Sequence, residues 1–267
     1  MPELAEVEFY RKVWDGGIKQ KVRAVELHAS KRIFRGMDTK ALTQALTGSV
    51  LVSSATHGKQ LLFRFSKNGW LGLHLGMSGR LRIGVPDEEA GRHDHLVLRQ
   101  ARQALIFSDP RQFGRVLFHQ GVAPPKWWAA LPPQILSEEF TLTRMTRFLS
   151  RHARAPLKAV LLTQRGFPGI GNWMADEVLW QAGIAPACLA GKLDAMQTKR
   201  LFRAARFVCR GAMRTVGIDF RDPPGGWLYH RRWRRGGICP RDGAALRHAE
   251  VGGRTTCWCP SCQKQGF

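Results

Sequence analysis

Hydrophobic and polar positions follow two different periods along the chain, and the change comes near its middle. Residues 3–15 place Leu4, Val7 and Trp14 on one face of a predicted helix that ends at Gly16-Gly17. Short segments that alternate apolar and polar residues come next, separated by Gly, Asn, Asp or Pro. They are 22–29, 49–57, 59–66, 70–85, 95–100, 103–109 and 114–120. This pattern predicts a β-sandwich or barrel.

The second half has apolar residues three and four positions apart, which predicts helices. The helical segments are 141–153, 157–164, 172–183 and 192–217. A Pro-rich stretch at 121–136 separates the halves and is the predicted domain boundary. We therefore predict a multidomain α+β fold divided into 1–122, a linker at 123–136, a helical domain at 137–226 and a basic, cysteine-rich segment at 227–267.

The charge of the chain indicates its partner. Lys and Arg number 42 against 20 acidic residues, a formal net charge of +22, and such an excess favours a polyanion, above all nucleic acid. A merely soluble basic protein is the alternative. No apolar run is long enough to span a membrane and no secretory signal is present, so a cytoplasmic protein is expected.

The N-terminus has two interpretations. Pro2 and the glutamates after it are typical of an ordinary helix start. Alternatively, removal of Met1 exposes the secondary amine of Pro2, which is a nucleophile near neutral pH and forms an iminium with an aldehyde-like carbon. Glu3 and Glu6, three apart on the predicted helix, then become candidates for acid and base.

Three further stretches suggest contacts with DNA. Gly169 and Gly171 precede a helix with Asn172 as a candidate cap, so backbone N–H groups there are predicted to face outward and bind phosphate. The loops 74–80 and 109–115 bring Met77 and Phe113 next to arginines, a composition suited to filling a gap in a base stack. Core packing beside solvated arginines is the alternative. Lys59 is a candidate catalytic residue that contacts either a phosphate or the reacting sugar, and a surface lysine is the alternative.

The cysteines point to metal rather than disulfide chemistry. Cys259 and Cys262 form a CxxC pair, and Cys239 is a third ligand, but the position three after Cys239 is Asp242. Cys257 and His248 are alternatives for the fourth ligand, and a metal-free hairpin remains possible.

Taken together, these stretches resemble the formamidopyrimidine-DNA glycosylase and endonuclease VIII family, over nearly the whole chain. Six motifs occur in the family's order: PELAEVE, HGKQLLF, HLGMSGR, DPRQFG, GIGNWMADE and GGRTTCWCPSCQ. The resemblance implies an N-terminal helix with a β-sandwich, a helix–two-turn–helix domain and a C-terminal β-hairpin zinc finger, with DNA between the halves. The sequence is closer to the formamidopyrimidine-DNA glycosylase branch.

The resemblance also implies a reaction and its residues. Pro2 would attack C1′ of the damaged nucleotide, Glu3 would protonate the sugar ring oxygen and Glu6 would assist. Base excision and β,δ-elimination would leave a one-nucleotide gap in double-stranded DNA. The resemblance further implies that DNA is bound by Lys59, His74, Asn172 and Arg254. The gap left by the everted nucleotide would be filled by Met77, Arg111 and Phe113. One structural Zn²⁺ would be held by Cys239, Asp242, Cys259 and Cys262.

Three positions depart from the branch. Ala5 stands where the branch usually has Pro, Asp242 replaces a zinc cysteine, and the stretch 216–227 is shorter than the branch's lesion-capping loop. This last difference leaves recognition of 8-oxoguanine open. We therefore predict a monomeric bifunctional glycosylase and abasic-site lyase for ring-opened or oxidised bases. The alternatives are a glycosylase that prefers oxidised pyrimidines or other lesions, a non-catalytic binder of damaged DNA, and an RNA-binding protein, against which the β-domain argues.

Overall fold

The computed structural model describes residues 1–264, and the chain divides into two compact units. Unit 1 comprises Met1–Pro2 and Glu6–Leu131, and unit 2 comprises Glu3–Ala5 and Pro132–Phe267. The α+β class is confirmed, with N-terminal β-sheets, a helical region and a C-terminal hairpin. The finer division at residues 122, 136 and 226 stays a prediction.

Two antiparallel four-stranded sheets form most of unit 1. Their strands are β1 (Ala24–Leu27), β2 (Leu51–His57), β3 (Gln60–Phe65), β4 (Gly69–His74), β5 (Arg80–Gly84), β6 (Asp94–Arg99), β7 (Ala104–Ser108) and β8 (Arg115–Gln120). One sheet has the order β1-β6-β7-β5 and the other β2-β3-β4-β8. Their apolar faces share a core with Trp14, whose ring centroid lies 4.8 Å from that of Phe63.

The helices that accompany these sheets are α1 (Leu4–Asp15), α2 (Thr39–Leu46) and α3 (Lys126–Ala129), with a 3₁₀ turn at Arg32–Phe34. Helix α2 was not predicted, although Asp38 gives it a recognisable cap by accepting hydrogen bonds from Lys40 N–H and Ala41 N–H. The predicted β-segment 70–85 is two strands, β4 and β5. They are separated because residues 75–79 form a loop and the strands belong to different sheets.

Unit 2 is mainly helical. Its helices are α4 (Leu142–Arg151), α5 (Leu157–Leu162), α6 (Asn172–Ala182), α7 (Ala195–Arg214) and α8 (Val216–Asp219), with 3₁₀ turns at Ala190–Lys192 and Leu228–His230. Helix α6 is buried along nearly its whole length, because its apolar side chains pack in a core that also contains Leu4 and Ala5. The unit ends in a hairpin of β9 (Arg247–Val251) and β10 (Arg254–Trp258).

Within the part of the chain that the structure describes, no helix has both the length and the apolar character needed to span a membrane.

Candidate active site

The N-terminal segment differs from the prediction in one respect. Helix α1 begins at Leu4, so Pro2 and Glu3 precede the helix instead of forming its first turn, and Glu3 and Glu6 do not share a helical face. The N–H of Leu4, which has no acceptor within the helix, donates to Gly169 O at 3.0 Å within unit 2. Glu6 lies in the first turn of α1 and is half-buried.

The Glu3 carboxylate is bound by the start of α6. Oε2 accepts hydrogen bonds from Gly171 N–H at 2.9 Å and Met174 N–H at 3.1 Å, and Oε1 accepts one from Trp173 N–H at 3.0 Å. The Glu3 residue is only 2% exposed. Three N–H donors at the positive end of a helix stabilise a negative charge, so the start of α6 is suited to bind the Glu3 side chain.

This contact contradicts the prediction that the backbone N–H groups at the start of α6 face outward to bind phosphate. The N–H groups of Gly171, Trp173 and Met174 do not face outward, because Glu3 occupies them. Position 171 requires glycine because the Glu3 side chain lies so close to it that a Cβ there would be 2.3 Å from Glu3 Cδ. The sequence showed the glycine-rich turn, but the ligand of that turn comes from 168 residues earlier in the chain.

Asn172 is the first residue of α6, and the cap is Gly171. The Asn172 amide Nδ2 donates to Thr255 O on β10 at 2.9 Å, which ties the helix to the hairpin. Its Oδ1 is buried and has no hydrogen-bond partner among the described residues. Arg254 begins β10 and is exposed, directly after a turn in which Gly252 and Gly253 have positive φ.

In unit 1 the structure brings together the two loops that the sequence suggested separately. Met77 and Phe113 are 43% and 44% exposed, too exposed for the core packing that was the alternative. The Arg111 guanidinium lies 4.9 Å from the centroid of the Phe113 ring. The loops meet at Gly76, where a Cβ would lie 2.4 Å from the carbonyl carbon of Phe113.

Two residues that sequence reasoning missed hold these loops in place. Ser78 Oγ donates to Asp109 Oδ1 at 2.6 Å, and Asp109 Oδ2 accepts from Gly114 N–H at 2.7 Å. The same Ser78 Oγ accepts from Arg111 N–H at 3.2 Å. Both residues lie inside the two loop motifs, so the motifs contained the signal, but only the structure shows the bond between them.

Lys59 and His74 lie close enough in unit 1 for the charge of Lys59 to act on the His74 ring. Lys59 is 8% exposed in the turn between β2 and β3, which excludes the ordinary surface lysine. Burial lowers the pKa of His74, and the charges of Lys59 and Arg35 lower it further against the opposing effect of Asp109. Gly76 N–H donates to His74 Nδ1 at 3.1 Å, so the neutral ring carries its proton on Nε2 and can donate it to an acceptor such as phosphate.

The cysteine cluster contains the predicted residues. Atoms of Cys239, Asp242, Cys259 and Cys262 that can bind a metal lie within 4.8 Å of one another. The Sγ atoms of Cys239 and Cys262 are 3.5 Å apart, and Cys262 Sγ lies 3.0 Å from Asp242 Oδ2. Four ligands around one zinc are about 3 to 4 Å apart, so this set fits a tetrahedral ion.

The two alternative ligands lie outside this cluster. Cys257 is buried on β10, and its N–H donates to Asp176 Oδ2 at 3.2 Å. His248 Nε2 lies 3.1 Å from Arg232 O. Neither belongs to the cluster found among the described residues, so Asp242 is the candidate for the fourth position.

A buried ionic network behind α6 was not predicted. Asp176 accepts from Lys158 Nζ at 2.5 Å and from Arg232 Nη2 at 2.7 Å, and both acid and lysine are fully buried. Burial lowers the pKa of Lys158, while the charge of Asp176 opposes that effect. Lys158 Nζ also donates to Asn172 O at 2.7 Å. The network joins α5 and the segment before the hairpin to the helix that binds Glu3.

Comparison with known proteins gives consistent matches along the chain. The model of the "Formamidopyrimidine-DNA glycosylase N-terminal domain" matches residues 1–116, and that of the "Formamidopyrimidine-DNA glycosylase H2TH domain" matches residues 131–222. The formamidopyrimidine-DNA glycosylase of Xanthomonas axonopodis pv. citri is 34% identical over 274 residues, covering 99% of this chain and all of the relative.

Solved structures give the same result. A complex of Lactococcus lactis Fpg with DNA containing an abasic site superimposes with a TM-score of 0.86 at 26% identity, covering 98% of this chain and 100% of the other. A structure of MutM with DNA containing carbocyclic 8-oxo-G has a TM-score of 0.88 at 28% identity, covering 99% and 100%.

Proposed function

Since this chain belongs to the formamidopyrimidine-DNA glycosylase family, we propose that it is a bifunctional glycosylase and abasic-site lyase of base excision repair. Its partner is double-stranded DNA with damaged bases or abasic sites. The observation that carries the proposal is the Glu3 carboxylate, which lies directly after Pro2 in the chain and accepts hydrogen bonds from three backbone N–H groups at the start of α6. A helix start alone does not require this arrangement.

The proposed reaction begins once Met1 has been removed. The lone pair of Pro2 N forms a bond to C1′ as the bond from C1′ to the base breaks, and the base leaves with a proton from the site. The nitrogen is then positively charged, and Glu3 accepts its proton and passes it to the sugar ring oxygen as the ring opens to the iminium. Glu6 assists in these transfers.

Elimination follows because the iminium withdraws electrons from the sugar. Loss of a C2′ proton expels the 3′-phosphate, and a second elimination expels the 5′-phosphate. Hydrolysis then frees Pro2 from the remaining sugar fragment. The products are a one-nucleotide gap with phosphate ends and a recycled amine.

The other predicted residues bind the DNA. Lys59, His74, Asn172 and Arg254 are the proposed ligands of phosphates that flank the everted nucleotide. Met77, Arg111 and Phe113 fill the gap that it leaves. Their support is the exposure of Met77 and Phe113 and the donor on His74 Nε2.

Formamidopyrimidines are the proposed substrates, with 8-oxoguanine a further candidate. The related MutM was solved with DNA that contains carbocyclic 8-oxo-G, but here only the short stretch 216–227 is available to cap a purine. A preference for oxidised pyrimidines is the alternative, and a panel of duplexes with each lesion distinguishes them.

Zinc is the proposed metal of the cluster, held by Cys239, Asp242, Cys259 and Cys262. A bound Zn²⁺ would supply a structural cross-link for the hairpin that carries Arg254, and no chemical step. We further propose a monomer in the bacterial cytoplasm, associated with DNA, since the similar proteins come from bacteria.

Borohydride trapping on an abasic-site duplex tests the reaction. We expect a covalent adduct with the natural protein and its loss in Pro2→Gly, with N-terminal mass confirming that Met1 is absent. A protein that binds the duplex but forms no adduct would be the non-catalytic binder. An adduct that persists in full in Pro2→Gly would exclude Pro2 as the nucleophile.

A further inference from the structure

The segment 231–235 has the sequence Arg-Arg-Trp-Arg-Arg and takes no part in the proposed reaction. It follows the 3₁₀ turn at Leu228–His230 in unit 2. One of its arginines is buried: Arg232 is bound to Asp176, and its carbonyl oxygen lies 3.1 Å from His248 Nε2. The ion pair of Arg232 with Asp176 therefore fixes the position of the segment.

Its central residue presents an aromatic surface to solvent. Trp233 is 60% exposed. The Arg232 guanidinium lies 4.3 Å from the centroid of the indole ring, and the edge-on ring of Tyr229 lies 5.5 Å away. These contacts orient the indole, and its 60% exposure leaves aromatic surface available to a flat partner.

The remaining arginines of the segment carry charge without an acidic partner. Arg231, Arg234 and Arg235 are exposed, and none of them takes part in an ion pair of residues 1–264. A flat aromatic ring beside unpaired guanidinium groups is the composition of a surface that binds single-stranded nucleic acid through base stacking and phosphate contacts.

A cavity of about 460 Å³ lies between this surface and Asn172 in unit 2. It is lined by Asn172, Arg232, Trp233, Arg235, His248 and Thr255, with Glu250 as the one acidic residue at its wall. The volume lies in the range of small-ligand sites. Asn172, the proposed phosphate ligand, therefore shares a wall with Trp233 and Arg235.

We propose that this cavity is a nucleotide subsite for the damaged strand. Trp233 packs its exposed aromatic surface against the sugar and base of the nucleotide next to the phosphate at Asn172, and Arg235 binds the following phosphate. The inference rests on the proposed function, because it takes Asn172 as a phosphate ligand. It adds a contact beyond the everted nucleotide and gives the exposed indole a partner.

Binding of the full-length protein to a duplex with a tetrahydrofuran abasic analogue tests this subsite without any cleavage. We expect Trp233→Ala to weaken binding about tenfold, as the loss of one stacked base does, and Trp233→Phe to restore most of the affinity. Arg235→Ala should lower the slope of log Kd against log salt by about 1.

Two variants on α7 serve as matched controls. Phe207 is an aromatic residue with 52% exposure, and Arg203 is an exposed arginine. We expect Phe207→Ala to leave affinity unchanged and Arg203→Ala to leave the salt slope unchanged. Thermal melting of each variant checks that the fold is retained.

A scan with 2-aminopurine locates the stacked base. The probe is moved along the damaged strand on both sides of the tetrahydrofuran, and we expect quenching at one position that disappears in Trp233→Ala. Equal affinity of Trp233→Ala and Phe207→Ala, with quenching unchanged, overturns the subsite. This test is independent of the reaction. If the natural protein forms no borohydride adduct but its binding depends on Trp233, the subsite is supported and only the lyase activity is excluded.

Discussion

Glu3 illustrates how much one long-range contact decides at the scale of a single residue. We expect Glu3→Gln to lower the rate of adduct formation at saturating enzyme by at least 100-fold, because an amide cannot take up and return the proton. Affinity for the tetrahydrofuran duplex should change less than threefold. Single-turnover kinetics and binding titrations measure the two effects, and a rate close to that of the natural protein would exclude the proton-transfer role.

A substitution at Gly171 tests the same contact from its partner at the start of α6. We expect Gly171→Ala to reduce adduct formation by 10- to 100-fold, since its Cβ would lie 2.3 Å from Glu3 Cδ and must displace the carboxylate. Gly225→Ala is the control, because a Cβ at that position meets nothing within 4 Å. Equal activity of the two variants in the trapping assay would mean that the position of Glu3 is unimportant.

At the scale of elements, helix α6 contains a carboxyl group that makes stability depend on pH. Burial raises the pKa of Glu177 to about 7, although Gln181 and the Tyr229 N–H donate hydrogen bonds to it. A group whose pKa is higher in the folded than in the unfolded state stabilises the fold at pH values below its unfolded pKa. This contribution is lost as the pH rises through its folded pKa.

We therefore expect the free energy of unfolding to fall by roughly 3 kcal/mol between pH 4.5 and pH 7.5 from this group. Glu177→Gln should remove that part of the pH dependence. Denaturant titrations across this range, with the exposed Glu138→Gln as control, measure it. A curve for Glu177→Gln that parallels the natural protein would contradict the assignment.

The hairpin gives a prediction about its metal. A carboxylate is a less favourable zinc ligand than a thiolate, so we expect Asp242→Cys to slow zinc loss to a chelator at least tenfold. Metal analysis before and after chelation measures this, and Asp222→Cys, at an exposed aspartate outside the cluster, is the control. Identical loss from Asp242→Cys and the natural protein would exclude residue 242 as a ligand.

Local patterns were sufficient for most elements and insufficient for their contacts. Alternation and helical spacing predicted the strands of unit 1 and the longer helices, because burial of one face dictates those periods. The bond between Ser78 and Asp109 and the contact of Glu3 with α6 join distant parts of the chain. No local period encodes such pairs, so the turn at Gly171 was wrongly predicted to bind phosphate.

At the scale of the whole molecule, the charge of +22 governs DNA binding. We expect affinity for undamaged duplex to fall steeply with salt, because each neutralised phosphate releases counterions. Arg254→Gln should lower the slope of log Kd against log salt by about 1 and weaken binding to damaged and undamaged duplexes alike. Titrations at several salt concentrations test this, and an unchanged slope would mean that Arg254 contacts no phosphate.

The contact between Glu3 and α6 joins residues that the ribosome synthesises at different times. The ribosome makes Glu3 168 residues before Gly171, a delay of roughly 10 to 30 s at ordinary elongation rates. During that interval the nascent chain carries its N-terminal amine but has no α6 to orient the acid beside it. Until translation has passed Met174, the Glu3 carboxylate therefore lacks the N–H donors that orient it.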